Sequence, residues 1–292
     1  MDAFTIKDLE NLSGIKAHTI RIWEQRYSFL KPRRTQTNIR YYSNQELKNI
    51  LNISLLSKYG YRISHISRMD EIELKEKIIS LSQAKAQQER IVNELIQHLI
   101  DLDMDQFECV IDNYIMTRGV DKTVIQLIFP FLERIGILWI TSHINPAQEH
   151  LVSNIIRQKI MVAIEGTVSH ITVNKTLLLF LPEGEHHELG LLYVYYLLKS
   201  HGVKVLYVGA NIPLKDIELI CRIKKPDAMH THLTCVTPNF NFEKFLSRVH
   251  QLIPGIPLTI SGKLAQTQIR KLPPSINFKR SLPEVLEYVT AL

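Results

Sequence analysis

The sequence predicts a multidomain protein of α and α/β class, with a small basic head, a helical middle and a body in which strands alternate with helices. Three observations predict it. Excess positive charge is confined to the first 70 residues, which hold 12 Lys or Arg against 6 Asp or Glu, while the rest of the chain holds 23 of each. From about residue 71 to 171 apolar positions recur with helical spacing. Beyond Asn174 short apolar runs alternate with helical stretches, the pattern of a doubly wound parallel sheet.

A chain of 292 residues has room for two or three cores. No apolar run reaches the roughly 18 to 20 residues of a membrane span, so no membrane partner is expected. The start, MDAFTIKDLE, lacks the basic segment and apolar run of a secretory signal, and Cys109, Cys221 and Cys235 are scattered and odd in number. A reducing cytoplasm is the expected setting.

The head, residues 1–72, begins with Thr5 and Asp8 at capping-box spacing, opening a short helix that stops at Ser13-Gly14. A second helix runs from about Lys16 to Tyr27, and two short helices about a Gly-containing turn make a helix-turn-helix. KPRRTQTNIRYYS, residues 31–43, is basic, rich in β-formers near its end and punctuated by Pro32 and Asn38, as a small wing would be. Ser43 and Glu46 form a second capping box for a helix through about Tyr59, followed by a short segment over 61–69. In such a module the second helix enters the major groove while basic flanks hold phosphates. That helix offers Lys16, His18, Thr19, Arg21 and Arg26; the wing offers Arg33, Arg34 and Arg40. The competing reading of RIWEQRY is an amphipathic core helix with a solvated charged face, and Trp23 itself reads as core.

This segment resembles the MerR-type winged helix-turn-helix, in which an R-x-W/Y-E helix precedes a wing ending in R-x-Y; here the residues are RIWEQRYSFLKPRRT and IRYYS. The resemblance implies a double-stranded DNA operator as partner, with Arg21, Arg33, Arg34, Arg40 and Tyr41 as contacts. Proteins of that type usually dimerise through a long helix after the head. Here the helical middle begins almost at once, so association has to arise elsewhere or depend on a ligand.

The middle, residues 76–171, breaks near Asp101–Asp105, Arg118–Asp121 and Ser142–Pro146, giving four helices with short connections, hence an antiparallel four-helix bundle. Its first helix, AKAQQERIVNELIQHL, starts polar and doubles as a linker. In the body, residues 174–292, LLLFLP, KVLYVGA, DAMHTHL and PLTISG read as parallel strands. LGLLYVYYLLKSHG, LKDIELICRIKK and FEKFLSRVHQLI read as the helices between them. Ligands of such Rossmann-like sheets lie beyond the carboxyl ends of the strands, where EGEHHELG, residues 183–190, is found.

Four readings compete for Glu185, His186, His187 and Glu188. One is a solvated polar loop. A zinc hydrolase is the second, but HHELG has no second histidine at helical spacing and is not H-E-x-x-H. Phosphate binding is the third, though the loop has only Gly184 and Gly190 and carries the wrong charge. The fourth is an axial ligand to a flat metallocofactor. An imidazole at a strand's end coordinates through one nitrogen while a carboxylate fixes the other, and Glu185 is placed to hold His187 in this way. Gly190, lacking a Cβ, would leave room for a buried cofactor tail between strand and helix.

Glu185-His186-His187-Glu188-Leu189-Gly190 resembles the D-x-H-x-x-G motif of the cobalamin-binding Rossmann-like domain, with Glu for Asp. The resemblance implies His187 as lower cobalt ligand and His186 as a spacer. VGANIPLKDI, residues 208–217, follows the second strand as in that family. THLT, residues 231–234, stands where S-x-L is expected, which puts Thr231 or His232 near the buried base. SGK, residues 261–263, supplies Ser261 and keeps only Gly262 of a glycine pair. In the bundle, WITSHINPAQEH, residues 139–150, is similar to the upper-face motif of CarH-type and LitR-type cobalamin photoreceptor regulators: Trp, nine residues, then Glu-His. By that likeness Trp139, Glu149 and His150 cover the upper face, with Asn145-Pro146 capping the helix that carries the last two. Bundle core for Trp139 and helix-dipole compensation for Glu149 are the structural alternatives.

The resemblance as a whole implies a transcriptional repressor controlled by adenosylcobalamin. The intact cofactor would favour a homo-oligomer, dimer or tetramer, and light would cleave the cobalt–carbon bond and separate it. One departure bears on light: the resembling regulators place a histidine directly after the motif tryptophan, whereas this chain has Ile140, with His143 as the nearest substitute. Two rivals remain. A corrinoid methyl-transfer enzyme would need a substrate-activating domain, for which no length is left, so no enzyme is expected. A MerR-like regulator sensing another effector, or none, is the other.

Overall fold

A computed structural model describes residues 4–27, 29–81, 83–140, 144–234, 240–267 and 275–292. The chain divides into two compact units, Met1–Ile155 and Ile156–Leu292.

In the first unit, α1 (Ile6–Ser13) and α2 (Ala17–Arg26) form the helix-turn-helix. Thr5 and Asp8 close the expected capping box, and Gly14 ends α1 at φ +74, a left-handed conformation that costs glycine nothing. The wing is a two-stranded antiparallel ribbon, β1 (Arg33–Arg34) with β2 (Arg40–Tyr41). Asn38 turns it at φ +64, and its side-chain oxygen accepts from Arg34 Nη1 at 2.6 Å. Ser43 and Glu46 cap α3 (Asn44–Lys58), and short α4 (Ile63–Ile66) and α5 (Glu71–Ile79) follow. Four further helical stretches complete the region: α6 (Ala84–Asp101), α7 (Met104–Arg118), a composite helix, and α10 (Pro146–Gly166), within which the unit boundary falls.

The composite helix runs as α8 (Val120–Thr123), a π turn over Val124–Ile128, and α9 (Phe129–Ile140). Pro130 accounts for the π turn. It has no N–H for the carbonyl of Gln126 and its ring crowds that carbonyl, so the helix widens just upstream, where the Phe129 N–H reaches back to Val124 O.

The head packs against the helices that follow, α3 on α6 and α1 on α9. Lys48 pairs with Asp101, and Lys58 with Glu89 at 2.7 Å. Asn93, buried in α6, accepts a hydrogen bond from the Arg134 guanidinium, whose pKa burial lowers.

The second unit is a five-stranded parallel sheet. Its strands are β3 (Val173–Pro182), β4 (Val203–Ile212), β5 (Ala228–His232), β6 (Leu258–Ser261) and β7 (Ile276–Phe278), ordered β4-β3-β5-β6-β7. Interior strand β3 is sheathed on both faces, so its run Leu177–Leu181 is apolar throughout and fully buried. Each of those side chains contributes roughly 1.5–3 kcal/mol of burial.

The connecting helices are α11 (Leu189–Ser200), α12 (Leu214–Lys224), α13 (Phe242–Leu252), α14 (Lys263–Thr267) and α15 (Leu282–Thr290). One sheet face packs Leu178, Phe180 and Met229 against Ile217 and Cys221 of α12 and Phe245 and Val249 of α13. The other turns His230 toward Tyr288 of α15 and His232 toward Gly190 of α11. Strand β7 and helices α14 and α15 extend the four strands and three helices read from sequence. Among the described residues no helix is long and apolar enough to cross a membrane.

Candidate functional site

In the second unit the chain leaves β3 at Pro182 and turns through Gly184, at φ +88, whose N–H donates to Asn211 Oδ1 at 2.9 Å; the Asn211 N–H returns to Glu185 O at 3.1 Å. These bonds fix the loop and bury the Glu185 side chain completely. One carboxylate oxygen of Glu185 accepts from the His187 N–H at 2.9 Å and lies 2.8 Å from His187 Nδ1; the other accepts from the Thr234 N–H at 2.8 Å. A buried carboxylate is thus satisfied by two backbone amides and one ring nitrogen, an arrangement that fixes the imidazole's tautomer and direction. With Nδ1 committed to Glu185, coordination by His187 falls to Nε2. The His187 side chain is 53 % exposed, as access to a large ligand requires, and His186 is exposed beside it. Glu188 turns elsewhere, bonded to Arg157 Nε at 2.7 Å and Tyr207 Oη at 2.7 Å. Burial and that carboxylate raise the Tyr207 pKa, so Tyr207 remains a neutral donor.

Behind the loop, at the ends of β5 and β6, lies a second polar group. Ser261 Oγ sits 2.9 Å from His230 Nε2 and 2.8 Å from His232 Nδ1. Burial is the main cause that depresses both imidazoles, His230 to about 3 and His232 to about 4, with Glu185 partly opposing the fall at His232. Both rings are therefore neutral near pH 7. The least costly tautomers make His230 Nε2–H donate to Ser261, whose hydroxyl donates to His232 Nδ1, because His230 Nδ1 has no partner among the described residues and an unpaired lone pair costs less than an unpaired N–H.

The room expected beside Gly190 is filled by His232. A Cβ built on Gly190 would lie 2.3 Å from His232 Nε2, so the missing side chain accommodates an imidazole of this chain. His232 sits at the end of its strand, three elements away from Gly190 in sequence, and local spacing carries no sign of this contact. Thr231 is fully buried with no partner for Oγ1 among the described residues, and it alternates with the two histidines toward the opposite face. Gly262 is required by its surroundings: at φ +95, a Cβ would stand 2.4 Å from Leu233 O.

In the first unit, Asn145 and Gln148 form a reciprocal cap for α10, with Pro146 at its first position. Glu149 and His150 lie in that first turn, 3.6 Å apart. Trp139 belongs to the last turn of α9, but its side chain and that of Ile140 lie outside the described residues, as does His143.

On the head, Lys16, His18, Arg21, Arg26, Arg33 and Arg34 are exposed, with Thr19 and Tyr41 partly so. Trp23 is buried and meets Phe29 edge-on at 6.0 Å, as the core reading expects. Arg40 donates from Nε to Glu24 at 3.1 Å, and Tyr42 Oη donates to the same carboxylate. Glu24, on α2, thereby ties the wing to that helix. Sequence reasoning passed over Glu24, Tyr42, Arg157, Tyr207 and His230. For His230 a signal existed, since H-T-H places two imidazoles on one face of a strand.

Among the described residues no three His, Cys, Asp or Glu side chains gather as a metal cage. A single anchored imidazole at a strand end instead fits the one protein ligand that a macrocyclic metal needs, since the macrocycle supplies the equatorial donors.

Comparison with known proteins agrees with this layout. Residues 4–71 match the MerR HTH family regulatory protein model and residues 91–163 match the B12 binding domain model. The HTH-type transcriptional repressor CarH of Myxococcus xanthus is 26% identical over 271 residues, covering 90% of each chain. The repressor CarA of the same organism is 24% identical, over 91% of this chain and 89% of that one. The monomethylamine corrinoid protein of Methanosarcina barkeri superposes with a TM-score of 0.52 at 10% identity, over 70% of this chain and 99% of that one, which shows a shared fold. The chain thus carries a MerR-type helix-turn-helix and a B12-binding domain, and is homologous to transcriptional repressors over most of its length.

Proposed function

We propose that this homologue of two HTH-type repressors is a transcriptional repressor whose association state, and so its operator affinity, is governed by adenosylcobalamin. One observation carries the reading: the fully buried Glu185 carboxylate holding His187 Nδ1 at 2.8 Å, which presents Nε2 beyond the carboxyl end of β3. His187 is the lower cobalt ligand, and Glu185 sets its tautomer and basicity. Trp139, Glu149 and His150 are the upper-face residues in this reading, supported by the B12-binding match that spans all three. When bound, the cofactor supplies a light-labile cobalt–carbon bond, and the protein supplies the ligand and the coupling to assembly.

On the DNA side, Lys16, His18, Thr19 and Arg21 meet the major groove, while Arg33, Arg34, Arg40 and Tyr41 hold backbone phosphates from the wing. An oligomer engages one operator through several heads at once, and dissociation removes that avidity. Light control is the outermost layer of the proposal, because Ile140 follows Trp139.

The test is to mix the full chain with adenosylcobalamin in darkness and follow visible absorption, sedimentation and DNA binding before and after illumination. A tight complex with altered absorption, increased mass and stronger DNA binding is expected, with mass and affinity falling in light. Binding without a light response removes the photoreceptor layer and leaves ligand sensing. Absence of binding leaves a MerR-type regulator of another effector.

A further inference from the structure

If His187 takes the lower face of a corrinoid, the substituent that hangs beneath the ring is displaced and has to be stowed in protein; this step rests on the reading above. The place such a substituent could take, between the first turn of α11 and the ends of β5 and β6, is a recess that this chain itself fills. Its occupant is His232. The imidazole lies flush against Gly190, where a Cβ would approach Nε2, Cδ2 and Cε1 to 2.3, 2.4 and 2.8 Å. Ser261 holds it at 2.8 Å, His230 holds Ser261 at 2.9 Å, and Tyr288 stacks on His230 with centroids 5.9 Å apart. The plug is thus the outer end of a braced, buried chain of three polar side chains.

We infer that His232 is the specificity-determining residue of this recess, competing with the nucleotide base of the ligand for one volume and selecting against bulky lower bases. A dimethylbenzimidazole ring enters only when the imidazole swings out, which breaks its bond to Ser261 and leaves the buried hydroxyl facing a largely apolar surface. A corrinoid with no base asks for neither change.

The experiment compares adenosylcobalamin with adenosylcobinamide, which lacks the nucleotide, by visible titration of the full chain in darkness. It uses wild type, His232→Ser and His232→Asn; Asn keeps a hydrogen-bonding group for Ser261 in less volume, and circular dichroism checks that each variant is folded. The substitutions are expected to raise adenosylcobalamin affinity about tenfold or more while adenosylcobinamide affinity stays within about twofold. Equal effects on the two ligands, no effect, or weaker adenosylcobalamin binding in the folded variants overturns the inference, the last by making His232 a partner of the base. If neither corrinoid binds wild type or variants, the cofactor reading fails and takes this inference with it.

Discussion

The loop after β3 and the end of β5 each carry two imidazoles, His186 and His187 in one, His230 and His232 in the other, within a single unit of the fold. In the loop, one ring is anchored by a buried carboxylate and half-exposed while its neighbour is exposed. In the strand, the two rings share a serine, have little access to water, and are held neutral by burial. The contrast teaches that residue type does not assign a role. An anion behind the ring together with solvent in front makes a candidate ligand; a hydroxyl beside it and a helix over it makes a wall.

Acidification should separate the pairs most sharply. His230 and His232 titrate in the folded state far below the ordinary 6.5, so the unfolded chain binds more protons between those values. Their contribution is fully present above about pH 6.5 and is lost as pH falls toward about 4. Together they should cost the apo protein up to roughly 4 kcal/mol between about pH 7.5 and pH 5. Denaturant melts across that range test it, and a His230→Phe, His232→Phe double variant should lose most of the dependence.

Next in size, His187→Ala should weaken corrinoid binding about a hundredfold and remove the axial-ligand absorption change, and should cost about 1–2 kcal/mol of stability because the buried Glu185 carboxylate loses its ring partner and keeps only backbone amides. An unchanged spectrum would refute the axial assignment. Ser261→Ala should cost about 2 kcal/mol, or about 6 °C in melting temperature, because it strips both buried rings of a partner. The smallest effect belongs to His186→Ala: a spectrum like wild type and stability within about 0.5 kcal/mol. A large loss there would erase the distinction between ligand and spacer.

Much of this architecture was legible because its determinants are local. Thr5 with Asp8, Ser43 with Glu46, and the Asn145-Pro146 cap mark helix starts within four residues of sequence. The pairing of Glu185 with His187 was legible for the same reason. Ser281 and Glu284 carry an equally local cap for α15, yet that helix and three-residue β7 were passed over, since so short a strand has no periodicity of its own. The position of His232 was beyond sequence reading: it depends on β5, β6 and α11 meeting, and the glycine that seemed to promise space is the surface its ring fills.

The π turn over Val124–Ile128 has a consequence for how this chain can change. Such a turn holds one residue more than the α-helical path, so every position from 129 to 140 is rotated by roughly 100° relative to an uninterrupted helix. Loss of one codon in that stretch, with Pro130 replaced, would re-index the whole terminal segment of the helix, Trp139 included, while leaving residues 131 to 140 unchanged. Two changes, one of them at the base of the segment, would thereby re-aim the helix end while the residues it presents stay as they are.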